Sequence, residues 1–221
     1  MRSTSDLIDS LVADAKPVRR LRSPAMRALC WLLLATLILT LVALVHGVRP
    51  DLMVKLHQPV FVVGVASALT TAALASFASF MASVPGRSRG WLLLPAPAVV
   101  AWMTTIGYGC LTNWISIGPD GMSPGETARC FATLAITGIP LSLVMLIMLR
   151  YVARLSPNSV VMTGSLAVAA MTAVALSLLH PLDATVMILM WNFGVAAVLM
   201  VLSGLYGRRL FGWLRHRAET V

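Results

Sequence analysis

Three cysteines, four histidines and two glycine–serine motifs are the side chains of this 221-residue chain best suited to covalent or metal chemistry. Gly86-Arg87-Ser88-Arg89-Gly90 has the G-x-S-x-G form of a nucleophile elbow. That motif needs a strand before the serine, a helix after it, and acid and histidine partners downstream. Here it fills a short basic loop between two apolar runs, so it reads as a turn. Gly164-Ser165 lies within an apolar run, where an intramembrane serine nucleophile would need a histidine base on a neighbouring helix. His46, His57, His180 and His216 all fall at the ends of such runs or outside them. The protease reading therefore fails for want of a base, and no enzyme is expected.

The thiols offer a different chemistry. Sulfur with imidazole suits soft or borderline metals such as zinc, copper and cadmium, and exposed thiols oxidise reversibly. Cys30 sits at the start of the first apolar run and reads as a small core residue. Cys110 ends the third run and Cys130 opens the fourth, which puts both on the same side of a membrane. In an oxidising compartment such as the periplasm the two could pair as a disulfide, and His180, at the same side, could join them. Cys110, Cys130 and His180 are thus candidate sensing residues, with Cys130 and His180 as candidate ligands of a transient metal ion and no resident cofactor expected. Their sequence separations match no metal motif. Two buried thiols and a helix-capping histidine are the plain alternative.

The elements that must position these groups follow from composition. Hydrophobic residues make up 58% of the chain and charged ones 11%, with a mean hydropathy of +0.86. A soluble domain carries about a quarter charged residues, so neither a disordered chain nor an ordinary soluble enzyme fits. Crossing a bilayer takes about 20 mostly apolar residues. Six runs qualify, at 28–48, 60–83, 91–111, 131–149, 160–179 and 186–206, and none contains Asp, Glu, Lys or Arg. The spacing predicts an all-α polytopic membrane protein, six transmembrane helices in one bundle. The first run is too long for a signal peptide and lacks a small-x-small cleavage site, so it is expected to be retained.

Net charge is +9, a balance that taken alone suggests a nucleic-acid partner. The positions of the basic residues argue otherwise. Fourteen lie on one side of the six-run layout: Arg2, Lys16, Arg19, Arg20, Arg22 and Arg27, then Arg87 and Arg89, Arg150 and Arg154, and Arg208, Arg209, Arg215 and Arg217. Only Arg49, Lys55 and Arg129 lie on the other. The positive-inside rule then puts both termini in the cytoplasm. The charge serves orientation and contact with lipid headgroups, and no direct nucleic-acid contact is expected. Small residues at every fourth position, Ser67, Thr71, Ala75, Ser79 and Ser83 in the second run and Ser165, Ala169, Ala173 and Ser177 in the fifth, predict close helix packing. Membrane depth offers only Asn192 and scattered hydroxyls, which argues against ion-coupled transport. A pore for neutral solutes stays open.

Ahead of the first run, Ser3 and Asp6 have the form of a capping box. Leu7, Ile8, Leu11, Val12 and Ala15 then share an arc of roughly 140°, while Asp6, Asp9 and Asp14 occupy the other face, and Pro17 ends the helix. An interfacial helix would want a basic polar face. Folding back onto the bundle and docking into a partner's apolar groove are the other two readings, and the acidic face favours a partner. Arg19, Arg20, Arg22 and Arg27 read as a patch facing phospholipid.

Several short motifs, in order, carry a family likeness. These are Asp6-Leu7-Ile8, Ala13-Asp14-Ala15 and Pro17-Val18-Arg19-Arg20-Leu21-Arg22, then Arg49-Pro50-Asp51-Leu52, then Ser83-Val84-Pro85-Gly86-Arg87-Ser88-Arg89 with Trp91. Gly109-Cys110, Gly118-Pro119-Asp120-Gly121 and Cys130 complete the series. From about residue 4 to residue 210 the chain resembles the NrsF-like membrane anti-sigma factors. The resemblance implies that the amino-terminal segment sequesters an extracytoplasmic-function sigma factor at the bacterial inner membrane and releases it on a periplasmic oxidative or heavy-metal stress. It also implies a sensory pair at Cys130 and position 180. This chain has His180-Pro181 where the family pattern has cysteine, so a disulfide between those two positions cannot form.

The expected organisation is a cytoplasmic sigma-binding segment at 1–27, a six-helix membrane domain at 28–207 and a basic tail at 208–221. Asp6, Leu7, Ile8, Leu11, Val12 and Asp14 are the expected partner-binding residues. A small pore or permease for neutral solutes is the alternative function, and a scaffold subunit without a sensor a weaker third.

Overall fold

The structure is a computed structural model that describes residues 22–84, 86–113, 124–149 and 157–179, together with positions 4, 12 and 13. The sixth expected span at 186–206, the tail at 208–221 and most of the amino-terminal segment lie outside the described residues. Within them all regular structure is helical, and five helices are long and apolar enough to cross a membrane.

Each helix starts and stops where local chemistry dictates. Helix α1 runs Pro24–His46: Ser23 caps it by accepting from the Met26 amide at 3.3 Å, and Pro24 takes a first-turn position that needs no donor. Gly47, at φ 80°, ends it in a conformation that favours glycine. A single short turn, α2 (Leu52–Leu56), leads into α3 (Pro59–Ala82), again opened by proline. The segment 91–111, expected as one span, is divided. A 3-10 turn covers Arg89–Leu93, and α4 runs Ala96–Asn113, because Pro95 and Pro97 lack the amide donors that would make one continuous helix. Helix α5 (Pro124–Leu149) begins well before the expected residue 131 and carries Pro140 in its interior, and α6 runs Pro157–Leu179.

Contacts fix an alternating up-and-down path. The end of α3 meets the start of α6, where Ser79 Oγ donates to the Val160 carbonyl at 3.0 Å. Gly64 in the second turn of α3 faces Thr105 at the middle of α4, and Gly138 of α5 faces Thr172 of α6. Helix α6 is central, with 67% of its apolar window buried against 22% for α1. The packing is inverted relative to a soluble protein. Interior positions of α3 are mostly small, Ser67, Ala68, Thr71, Ala72, Ala75, Ser76, Ala78 and Ser79, with Phe80 and Met81 at its end, whereas Leu29, Leu33, Leu37, Leu41 and Leu44 of α1 are exposed. In water that arrangement would leave a large apolar surface unpaid for; hydrocarbon removes the cost and leaves close packing of small residues as the associating force.

The expected stripe in α3 is buried at all five positions, from Ser67 to Ser83. In α6 the stripe differs from expectation: only Ala173 is buried, and Ser165, Ala169 and Ser177 are half-buried. The close approach is made instead through Gly164, whose absent Cβ would lie 3.3 Å from Ser79 Oγ and 3.4 Å from Leu149 and Met145 side-chain carbons. Because α6 contacts α3 on one side and α5 on another, no single stripe describes its buried surface.

Gly164→Val should therefore destabilise the bundle by about 1–3 kcal/mol through overpacking. Thr71 is fully buried and its Oγ1 lacks a hydrogen-bond partner, so Thr71→Val should be neutral or stabilising. Thermal unfolding in detergent micelles checks both. A Gly164→Val chain that melts with the parent would contradict the α3–α6 contact.

Candidate functional site

Expected site residues divide by what the structure describes. Asp6, Leu7, Ile8, Leu11 and Asp14 lie outside the described residues. Val12 is helical and 68% exposed, so at that position the apolar face stands clear of the bundle. The backbone places Cys110 in the last turns of α4 and Cys130 in the second turn of α5, while their side chains, and His180 altogether, lie outside the described residues. Cys30 is a free, half-buried thiol on α1. Among the described residues no group of three metal-ligating side chains comes together. Ser88 is a capping residue: its Oγ accepts from the Gly90 amide at 3.1 Å, just after Gly86 turns the chain at φ 78°.

The built features are two buried arginines, one at each end of α1. Arg49 is 4% exposed in the connection that follows α1. Its Nε and Nη2 donate to the two carboxylate oxygens of Asp51, both at 2.7 Å, a fork-to-fork pair. Arg49 Nη1 donates to the Ser177 carbonyl at 3.4 Å, and its backbone amide donates to the Leu178 carbonyl at 3.1 Å. Those carbonyls belong to the last turn of α6, which has no partners within its own helix. A guanidinium there also meets the negative end of the helix dipole, an interaction worth about 0.3–2 kcal/mol. The ring of Phe61, at the start of α3, completes the setting, with its centroid 5.8 Å from the guanidinium carbon. Burial of the cation is tolerable because its donors are met on two sides. In return, the hydrogen-bonded guanidinium holds the Asp51 carboxyl below the usual carboxylate range.

Arg27 is the counterpart at the other end. Expected as part of a lipid-facing basic patch in the tail, it lies instead in the first turn of α1 and is only 9% exposed. Its Nη2 donates to the Met148 carbonyl at the end of α5, and its guanidinium lies 4.8 Å from the centroid of Phe80, near the end of α3. A desolvated cation–π contact is worth about 2 kcal/mol. The correction has a simple cause. Arg27 follows Pro24, so it is already helical, and its side chain reaches back toward an unsatisfied helix end rather than out to headgroups. Trp31 Nε1, fully buried one turn on, donates to the Leu141 carbonyl at 3.5 Å.

Sequence reasoning missed both roles. Each arginine caps a backbone carbonyl more than a hundred residues away, and backbone carbonyls leave no mark in a sequence. Two signals were available. Arg49 is a basic residue on the basic-poor side with an acid two positions on. From Arg27 to the end of α1 at His46 is about 29 Å at 1.5 Å per residue, close to the hydrocarbon thickness.

The chain matches a family model described as negative regulator of sigma F over residues 11–213. No curated protein and no solved structure matches it.

The Asp51 carboxyl yields a pH test. Its pKa in the folded chain lies below the unfolded value of about 4, so its contribution is complete above that value and is lost as pH falls through the folded one. The melting temperature of the parent should exceed that of Asp51→Asn by a constant margin at neutral pH. That gap should close only on strong acidification. A gap that closes between pH 7 and 5 in detergent melts would contradict the pairing.

Proposed function

The chain belongs to the NrsF family of negative regulators of sigma F, and from that premise we propose that it is an inner-membrane anti-sigma factor whose amino-terminal helix holds an extracytoplasmic-function sigma factor. The observation that carries this is the family match, which begins in the amino-terminal segment at residue 11 and continues through all five described spans. Leu7, Ile8, Leu11 and Val12 would bury against the sigma factor, and Asp6, Asp9 and Asp14 would meet its basic partners. Exposure of Val12 supports that face as available. Occupying surfaces that the sigma factor needs for polymerase or promoter is enough to inhibit it, and no chemical step is required.

In this account both termini are cytoplasmic, as the distribution of basic residues favours. The face bearing Arg49 is then periplasmic, together with Cys110, Cys130 and His180. A soft metal ion held by Cys130 and His180, or oxidation joining Cys110 to Cys130, is the proposed trigger. An inhibitor that releases its partner needs two states of different affinity, and the periplasmic groups would bias between them.

Full-length chain in membranes should co-purify with its cognate sigma factor, and Leu7→Asp combined with Leu11→Asp should abolish that association. Two buried charges without partners cost several kcal/mol, enough for at least about a hundredfold loss of affinity. Undiminished co-purification would show that this face is wrong. For the trigger, Cys130→Ser or His180→Ala should alter target-promoter output under cadmium or oxidant. Unchanged output with both single substitutions would sink the sensory assignment.

A further inference from the structure

We propose that α1 is the element that transmits a change from the α6 end of the bundle to the amino-terminal segment, with Arg49–Asp51 and Arg27 as its two positioning latches. This rests on the anti-sigma reading for what the segment holds, while the mechanical link stands on geometry alone.

The two arginines sit at opposite faces of the bundle and are joined by one continuous helix, Pro24–His46. At one face Arg49 ties the connection after α1 to the last turn of α6 through a carboxylate-locked guanidinium and a backbone amide. At the other, Arg27 ties the first turn of α1 to the last turn of α5. Both lie against α3, over Phe61 at its start and Phe80 near its end. Between the latches Ala28, Trp31, Ala35 and Val42 are buried and Leu32, Ile38 and Leu39 pack partly against the core, while Leu29, Leu33, Leu37, Leu41 and Leu44 face outward. A continuous helix tied at both ends carries a displacement of one end to the other.

The other features of the fold point the same way. Helix α6 is packed on several sides and ends at Leu179, next in sequence to position 180, so a displacement of its last turn is passed to the Arg49 contacts. Arg49 cannot follow freely, because both oxygens of Asp51 hold its fork. The strain passes into α1. At the far end of α1 the chain emerges at Ser23 and Arg22, both exposed, and leads back into the amino-terminal segment. Arg27 is therefore the last fixed point before the partner-binding helix, and its position sets where that helix is presented.

The test uses the full-length chain in native membranes, with two readouts. One is target-promoter output. The other is the labelling rate, by a charged maleimide, of a thiol introduced by Ala25→Cys in the exposed part of the first turn of α1, with labelling of the native thiols subtracted. Arg49→Gln acts at the opposite face, yet it should change that labelling rate and raise unstimulated promoter output, each by about two- to thirtyfold. Asp51→Asn, which leaves the guanidinium in place, should shift both in the same direction by less, and it decides the matter if Arg49→Gln fails to reach the membrane. Arg49→Lys keeps the charge but loses the fork, and should fall with Asp51→Asn. Labelling at the parent rate in the Arg49 and Asp51 variants, at normal membrane levels, overturns the proposal. Leu7→Asp with Leu11→Asp should release the sigma factor without altering labelling. If that double variant still represses, the proposed partner-binding face fails while the transmission result stands.

Discussion

A buried guanidinium in an apolar bundle must find acceptors, and the ends of helices are where acceptors are free. The last turn of every helix leaves carbonyls without partners, and within or beside a bilayer no water replaces them cheaply. Arg49 and Arg27 meet that need at opposite faces, on α6 and α5 respectively. Each also lies against an aromatic ring of α3, so one helix supports both latches. Loss of either contact would leave both a cation and a helix end without partners, so the placement of α1 depends on them together with the packing of Trp31, Leu32, Ile38 and Leu39.

The rest of the bundle is built on a different force. Many leucines and valines face outward, and the interior combines closely packed Ala, Ser, Thr and Gly with a few large side chains such as Trp31, Phe80, Leu141 and Met171. Hydroxyls there are mostly spent on carbonyls of their own helix, as in Thr137 to Thr133 and Thr172 to Val168. Ser79 is different, since it donates across to Val160, and it does so where Gly164 allows the two backbones to come close. This pairing joins α3 and α6 closely. Helix α1 packs against the core through Trp31, Leu32, Ile38 and Leu39 and turns Leu29, Leu33, Leu37, Leu41 and Leu44 outward.

Much of this was legible in the sequence. Apolar runs located the five described spans, and the small-residue stripe of α3 identified its buried face. What was not legible has two causes, burial on several sides and unmet main-chain groups. The α6 stripe misled because a central helix is buried on more than one side. The 3-10 turn before α4 was hidden inside an apolar run in which hydropathy says nothing about missing amide donors at Pro95 and Pro97. Arg27 was read as tail because charge near a membrane usually means headgroups, and its true acceptor is a main-chain oxygen on a distant helix. Sequence patterns report side-chain character well and main-chain demand poorly.

Regulation then becomes a question of presentation. If the amino-terminal helix holds a sigma factor, its affinity is set by its own apolar face and its availability by where α1 places it. Site-specific photo-cross-linking in living cells tests that account most directly. A photoreactive side chain at position 11 of the full-length chain should capture the sigma factor in unstressed cells and lose it on stress, while the same group at Arg87 should capture none. Equal capture from both positions, or none from position 11, would contradict the account.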